Sequence, residues 1–105
     1  MNVSIEEIVE DKQEKISFSD INLARQLFGE HNKNLHKIST AMAVQVHTRG
    51  NTVIIKGDTF SVDLAQKVLK QLYGLLKERY PVYPSDFDHA IRLLSENDVR
   101  FLKQF

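Results

Sequence analysis

Residues 44–56, VQVHTRGNTVIIK, leave the backbone few choices. Two runs in which β-branched residues alternate with polar ones flank Gly50-Asn51. A two-residue glycine-asparagine connection supplies the positive φ that tight hairpin turns need, so the segment reads as two antiparallel strands. If Arg49 pairs with Thr52, Val46 faces Ile55 and His47 faces Ile54. The period of two then gathers Val44, Val46, Val53 and Ile55 on a buried face. Gln45, His47, Arg49, Ile54 and Lys56 share the outer one.

Helical patterns lie on both sides of the hairpin. Ile16-Ser17-Phe18 alternates and reads as a short strand. Ser19 and Asp20 are good caps for a helix starting near Ile21, whose apolar stripe is Leu23, Leu27 and Phe28. Gly29 ends it. A second helix is expected from Lys33, with Asn32 as its cap and Leu35, Ile38 and Met42 as the buried stripe. Lys33, His36 and Lys37 fall on its other side. Gly57-Asp58-Thr59 reads as a turn capping a long helix from about Phe60 to Arg79, with Val62, Ala65, Val68 or Leu69, Leu72, and Leu75 or Leu76 facing inward. Tyr80-Pro81-Val82-Tyr83-Pro84 stops it, because proline disfavours helix at the residue before it. Ser85 and Asp88 suggest a capping box for a further helix that turns Phe87, Ile91 and Leu94 inward. Ser95-Glu96-Asn97-Asp98 reads as a break, with Val99 to Phe105 a short helical or frayed end.

The expected class is therefore α+β, a two-layer sandwich of a three-stranded sheet packed on three helices, with an appended C-terminal helix. The expected divisions are an acidic N-terminal extension over 1–14, a core over 15–80 and the appended helix over 81–105. A chain of 105 residues supports one hydrophobic core, and its 42% hydrophobic and 27% charged residues are those of an ordinary globular protein. No apolar run approaches the ~18–20 residues of a membrane span, and the first residues lead into acids rather than a basic and apolar signal. With no cysteine the chain has neither disulfide nor thiolate chemistry. The expected location is the cytoplasm.

A net charge of zero conceals an asymmetry. Residues 1–20 carry six acids against Lys12 and Lys15, whereas residues 21–56 carry Arg25, Lys33, Lys37, Arg49 and Lys56 against Glu30 alone. That middle third reads as an anion-facing surface. Its focus is Gly29-Glu30-His31-Asn32, where two helix ends converge. The N-terminus of the second helix offers backbone amides and the positive end of a dipole. Arg25, Lys33 and Lys37 lie within a turn or two, and His31 is placed to stack or donate. Glu30 works against an anion there. The histidines follow no metal-ligand spacing, so no metal site is expected. No catalytic residues are expected either: no serine sits in a Gly-x-Ser-x-Gly elbow, and Asp86 and Asp88 are explained by helix capping.

This order of elements, with a glycine loop joining the first two helices, resembles a type I KH domain. In that fold a Gly-x-x-Gly loop clamps the backbone of about four nucleotides of single-stranded nucleic acid. Here Gly29 matches the first glycine and Asn32 replaces the second. The stretches FSDINLARQLFGEHNKNLHKI, VHTRGNTVIIKGD, LAQKVLKQLYGLLK and YPVYPSDFDHAIRLLS together resemble the N-terminal region of PhoH-like proteins, bacterial phosphate-starvation-inducible ATPases in which a KH-like module precedes a P-loop domain.

The resemblance implies an accessory domain that holds single-stranded RNA for the ATPase domain following it, with ATP and Mg²⁺ belonging to the full-length protein and no cofactor to this part. It implies a nucleic-acid site of Arg25, Gly29, His31, Asn32, Lys33 and Lys37, with Gln45, His47 and Arg49 lining the opposite wall of a groove. A Gly-x-x-x-x-Gly-Lys-Ser/Thr string is absent from the 105 residues, so ATP hydrolysis by that route is not expected of them. The competing expectation is a protein-interaction module, a site of homo-oligomerisation or docking of the ATPase domain that binds no nucleic acid. Glu30 and the acidic first twenty residues favour it.

Overall fold

The computed structural model describes residues 11–97. Within them the order is β1 (Asp11–Ser17), α1 (Ile21–Phe28), a single 3₁₀ turn (Glu30–Asn32), α2 (Lys33–Met42), β2 (Gln45–Arg49), β3 (Thr52–Asp58), α3 (Thr59–Lys77) and α4 (Pro84–Asn97). The strands form one antiparallel sheet in the order β1-β3-β2, so β2 lies at an edge. The fold is α+β, with helices packed on one face of the sheet.

The hairpin register is the expected one: Arg49 pairs with Thr52, His47 with Ile54 and Val46 with Ile55. Gly50 has φ 62°, the positive φ at the first central position that a type II′ turn uses. The turn is also tied to β1, because the Phe18 N–H donates to the Asn51 carbonyl at 3.0 Å and the Asn51 amide donates back to the Phe18 carbonyl. Phe18 itself is buried, edge-on to Phe28 and 4.6 Å from the Tyr73 ring.

β1 begins at Asp11, well before the expected Ile16, and so takes in residues assigned above to an acidic extension. Nothing in DKQEK favours a strand; pairing with Ile54–Asp58 imposes it. Lys12 on its helix-facing side donates to Asp63 of α3 at 2.8 Å. That bond holds the Lys12 ammonium above its ordinary pKa of 10.5. The bond's contribution to stability is complete below that value and is lost as pH rises through the raised one.

Asp20 caps α1 by accepting from the N–H groups of Asn22 and Leu23, and Asp58 caps α3 by accepting from Ser61. α3 buries the expected stripe and also Leu64 and Tyr73; the Tyr73 hydroxyl accepts from the Asp20 N–H at 3.0 Å. α2 ends at Ala43, which takes a left-handed conformation while Ser39 donates to the Val44 carbonyl.

The expected Ser85–Asp88 capping box does not form. α4 starts with Pro84 at its first position, Asp86 accepts from the Tyr83 N–H at 2.6 Å, and Asp88 is left to pair elsewhere. Nor is there a break at Ser95, because α4 continues to Asn97. The expectations for residues 1–10 and 98–105 lie outside the described residues. Phe87 is fully buried in the same core as the sheet, with Ile91 and Leu94 packed against it. No helix among the described residues is long and apolar enough to cross a membrane.

Candidate nucleic-acid interface

The loop between α1 and α2 is built by backbone conformations that most residues avoid. Gly29 has φ 80° and ψ 169°, a region essentially closed to side chains, and His31 and Asn32 follow at φ 54° and 58°. Asn34 explains part of this. It is buried, donates to the Leu27 carbonyl at 3.1 Å, and lies over Gly29 so closely that a Cβ there would come within 2.7 Å of its Nδ2. The side-chain Oδ1 of Asn34 has no hydrogen-bond partner among the described residues. Glycine at 29 is thus demanded twice, by φ and by the packing of Asn34.

The expected supply of free amides at the start of α2 is reduced. The 3₁₀ turn uses the Asn32 N–H, which donates to Gly29 at 3.0 Å, and the Lys33 N–H, which donates to Glu30. Attraction for an anion therefore rests more on the dipole of α2 and on side-chain cations. Lys33 is exposed there, and Arg25 is exposed on the last turn of α1. His31 projects outward with its side chain 91% exposed, 3.7 Å from the Glu30 carboxylate.

Asn32 does not cap α2 with its side chain. It is itself left-handed, and its amide reaches across to donate to the Thr48 hydroxyl of β2 at 3.4 Å. The crevice between α2 and β2, where the resemblance puts the nucleotide groove, is lined by Asn32, Leu35, His36, Ser39, Val46 and Thr48. Its volume is about 70 Å³, room for about two water molecules. A base entering it must part the Asn32–Thr48 contact.

The groove's far wall corrects the expectation. Val46 and Thr48 form it, whereas Gln45, His47 and Arg49 alternate with them and lie on the opposite, open face of the sheet. Lys37 also differs from its expected role, since its ammonium bridges both carboxylate oxygens of Asp88 on α4 at 3.1 and 3.2 Å. Together with Lys33, His36, Thr40 and Ala41, this pair lines an open cleft of about 420 Å³ between α2 and α4. The loop group of Arg25, Gly29, His31, Asn32 and Lys33 is thus brought together, Lys37 is adjacent but paired, and the β2 residues form a second group. His36, Val46, Thr48 and Asp88 are the additions the structure makes. Among the described residues no three histidine or acidic side chains gather as a metal ion would require.

No family model matches the chain. It is 28% identical over 68 residues to a PhoH-like protein of Mycobacterium leprae and 25% identical over 80 residues to one of Bacillus subtilis. The chain resembles one segment of PhoH-like proteins. These matches take in 65% and 76% of the chain but only 20% and 25% of the relatives, so the chain corresponds to about a fifth to a quarter of their length. Among solved structures, a protein of unknown function from Aeropyrum pernix matches 90% of the chain with a TM-score of 0.62, at 14% identity and over 52% of its own length. That likeness concerns the fold.

Proposed function

We propose that this is a KH-like accessory domain of a PhoH-like protein, contacting single-stranded RNA through the Gly29–Asn32 loop and the start of α2 and positioning it for an ATPase domain elsewhere in the longer chain. The observation that carries this reading is the loop itself: three positive φ values within four residues, an outward His31, and the cations Arg25 and Lys33 beside a helix N-terminus. Backbone strain of this kind concentrates where a loop must present a fixed surface. The similarity to PhoH-like proteins supports it from a different direction. By this reading ATP and Mg²⁺ belong to the rest of the protein. The 105 residues contain no Gly-x-x-x-x-Gly-Lys-Ser/Thr string, so no ATP-dependent step is assigned to them.

Fluorescence anisotropy with a labelled four-nucleotide RNA tests the reading. Binding is expected to be weak and to fall with salt at a log–log slope of about −0.7 for each phosphate neutralised. Lys33→Gln should weaken it and flatten the slope by about that amount. Asp88→Asn frees Lys37, so it should tighten binding roughly two- to fivefold and steepen the slope, in line with the modest strength of an exposed ion pair. Affinity indifferent to both salt and Lys33 would remove the case.

A second reading has its own observation. Leu72, Leu75, Ala90, Leu93 and Leu94 line an apolar groove of about 280 Å³ between α3 and α4, with Leu75 and Leu93 more than a third exposed. A protein-interaction module, for oligomerisation or for docking the remainder of a PhoH-like protein, would use such a groove. Loss of self-association on Leu93→Glu, with RNA affinity unchanged, is the result that reading requires.

A further inference from the structure

Among the described residues, the sheet has one face covered by helices and one face that none of them covers. The strand register places three ranks of side chains on the outward face. Gln13, Lys56 and Gln45 make the first rank, Lys15, Ile54 and His47 the second, and Ser17, Thr52 and Arg49 the third. Lys15, His47, Arg49 and Lys56 are all exposed, with the half-buried Ile54 among them. None of the nine residues is acidic. Among the described residues, the rank beyond Gln13 holds the pair Asp11 and Asp58, of which Asp58 is engaged in capping α3.

Pairing elsewhere makes this face more conspicuous. Lys12 and Lys37, the lysines facing α3 and α4, are each bound to an aspartate. Among the described residues Lys15, Arg49 and Lys56 enter no ion pair. Among the described residues, three permanent charges thus stand on one sheet face without an ion-pair partner. Successive ranks on one face are roughly 6.6–6.8 Å apart and neighbouring strands ~4.8 Å apart. Lys56 on β3 and Arg49 on β2 therefore lie roughly 13–15 Å apart along a diagonal, with Lys15 off that line on β1.

We infer that this open face is a second nucleic-acid contact, holding the backbone of a single strand that has already engaged the Gly29 loop. The inference rests on the function proposed above and lengthens its footprint. Continuity favours a nucleic-acid strand as the occupant. β2 is an edge strand, its Thr48 touches Asn32 of the loop, and its adjacent His47 and Arg49 lie on the outward face. A strand leaving the loop over that edge meets Arg49 first and then the remaining cations. The face carries no Phe, Tyr or Trp on which bases stack, only the single imidazole of His47, so it reads phosphate far more than sequence.

The test compares four- and twelve-nucleotide oligouridines binding to the wild-type protein and to a Lys15→Gln/Arg49→Gln/Lys56→Gln variant, whose fold is checked by circular dichroism and thermal melting. The variant should bind the tetramer within about twofold of wild type. It should bind the dodecamer about tenfold or more weakly at 50 mM salt, with the log–log slope reduced by about 2, the sum of three phosphate contacts. Equal dodecamer affinity in the two proteins overturns the inference while leaving the loop reading intact. So does displacement of the dodecamer by polyglutamate as effectively as by unlabelled RNA, which would make the face a site for acidic polypeptides. The loop reading fails separately, if tetramer binding ignores Lys33→Gln.

Discussion

Phe87→Ala is expected to lower the stability of the domain by about 3–5 kcal/mol, the cost of removing a fully enclosed aromatic ring and leaving the cavity behind. For a domain of this size that is a fall in melting temperature of roughly 15–30 °C. The reason lies in how α4 is attached. Phe87 in its first turn is its one fully buried side chain among the described residues, whereas Ile91 and Leu94 are half-buried and Leu93 is 43% exposed. The Lys37–Asp88 pair beside it is exposed and worth little. Urea denaturation followed by circular dichroism measures the effect, with Leu93→Ala as the comparison, for which a loss below about 1 kcal/mol is expected. A Phe87→Ala loss no larger than that of Leu93→Ala would mean that α4 is not part of the core.

Gly29→Ala is the second large effect, expected at about 3 kcal/mol. Part of it is backbone strain, because alanine at φ 80° and ψ 169° enters a region that side chains essentially do not occupy. The rest comes from Asn34. A Cβ at position 29 would lie 2.7 Å from its Nδ2 and 2.9 Å from its Cγ. The buried amide must move, and its bond to the Leu27 carbonyl goes with it. Gly74→Ala gives the opposite sign. It lies within α3, its added Cβ meets nothing within 4 Å, and a gain of about 0.5–1 kcal/mol is expected. The same urea titration reads both variants. A Gly29→Ala protein as stable as wild type would show that the loop relaxes without cost and is not held in a fixed shape.

Local signals account for much of what the sequence makes legible. Gly50-Asn51 between alternating strands fixes the hairpin and its register, and Asp20 and Asp58 mark the starts of α1 and α3. The features that escape depend on partners distant in the chain. Asp11–Lys15 becomes a strand only because β3 offers an edge to pair with. Asp88 looks like a capping residue until α2 brings Lys37 to it across 51 positions. The groove wall follows from the period of two alone. Once Val46 is assigned to the helix side of the sheet, the groove wall beside α2 must be Val46 and Thr48, and period two sends Gln45, His47 and Arg49 to the other face. The left-handed pair His31-Asn32 has only a weak local signal, the tolerance of histidine and asparagine for that region, while the Asn32 side chain finds Thr48 16 positions away.

The decisive measurement is amide chemical-shift mapping of the protein with a four-nucleotide single-stranded RNA at low salt. The largest shifts should fall on Gly29, His31, Asn32 and Lys33, with smaller ones at Val46 and Thr48 as the crevice opens. Shifts gathered instead around Leu75 and Leu93, or none at all, would contradict a nucleic-acid role for the loop.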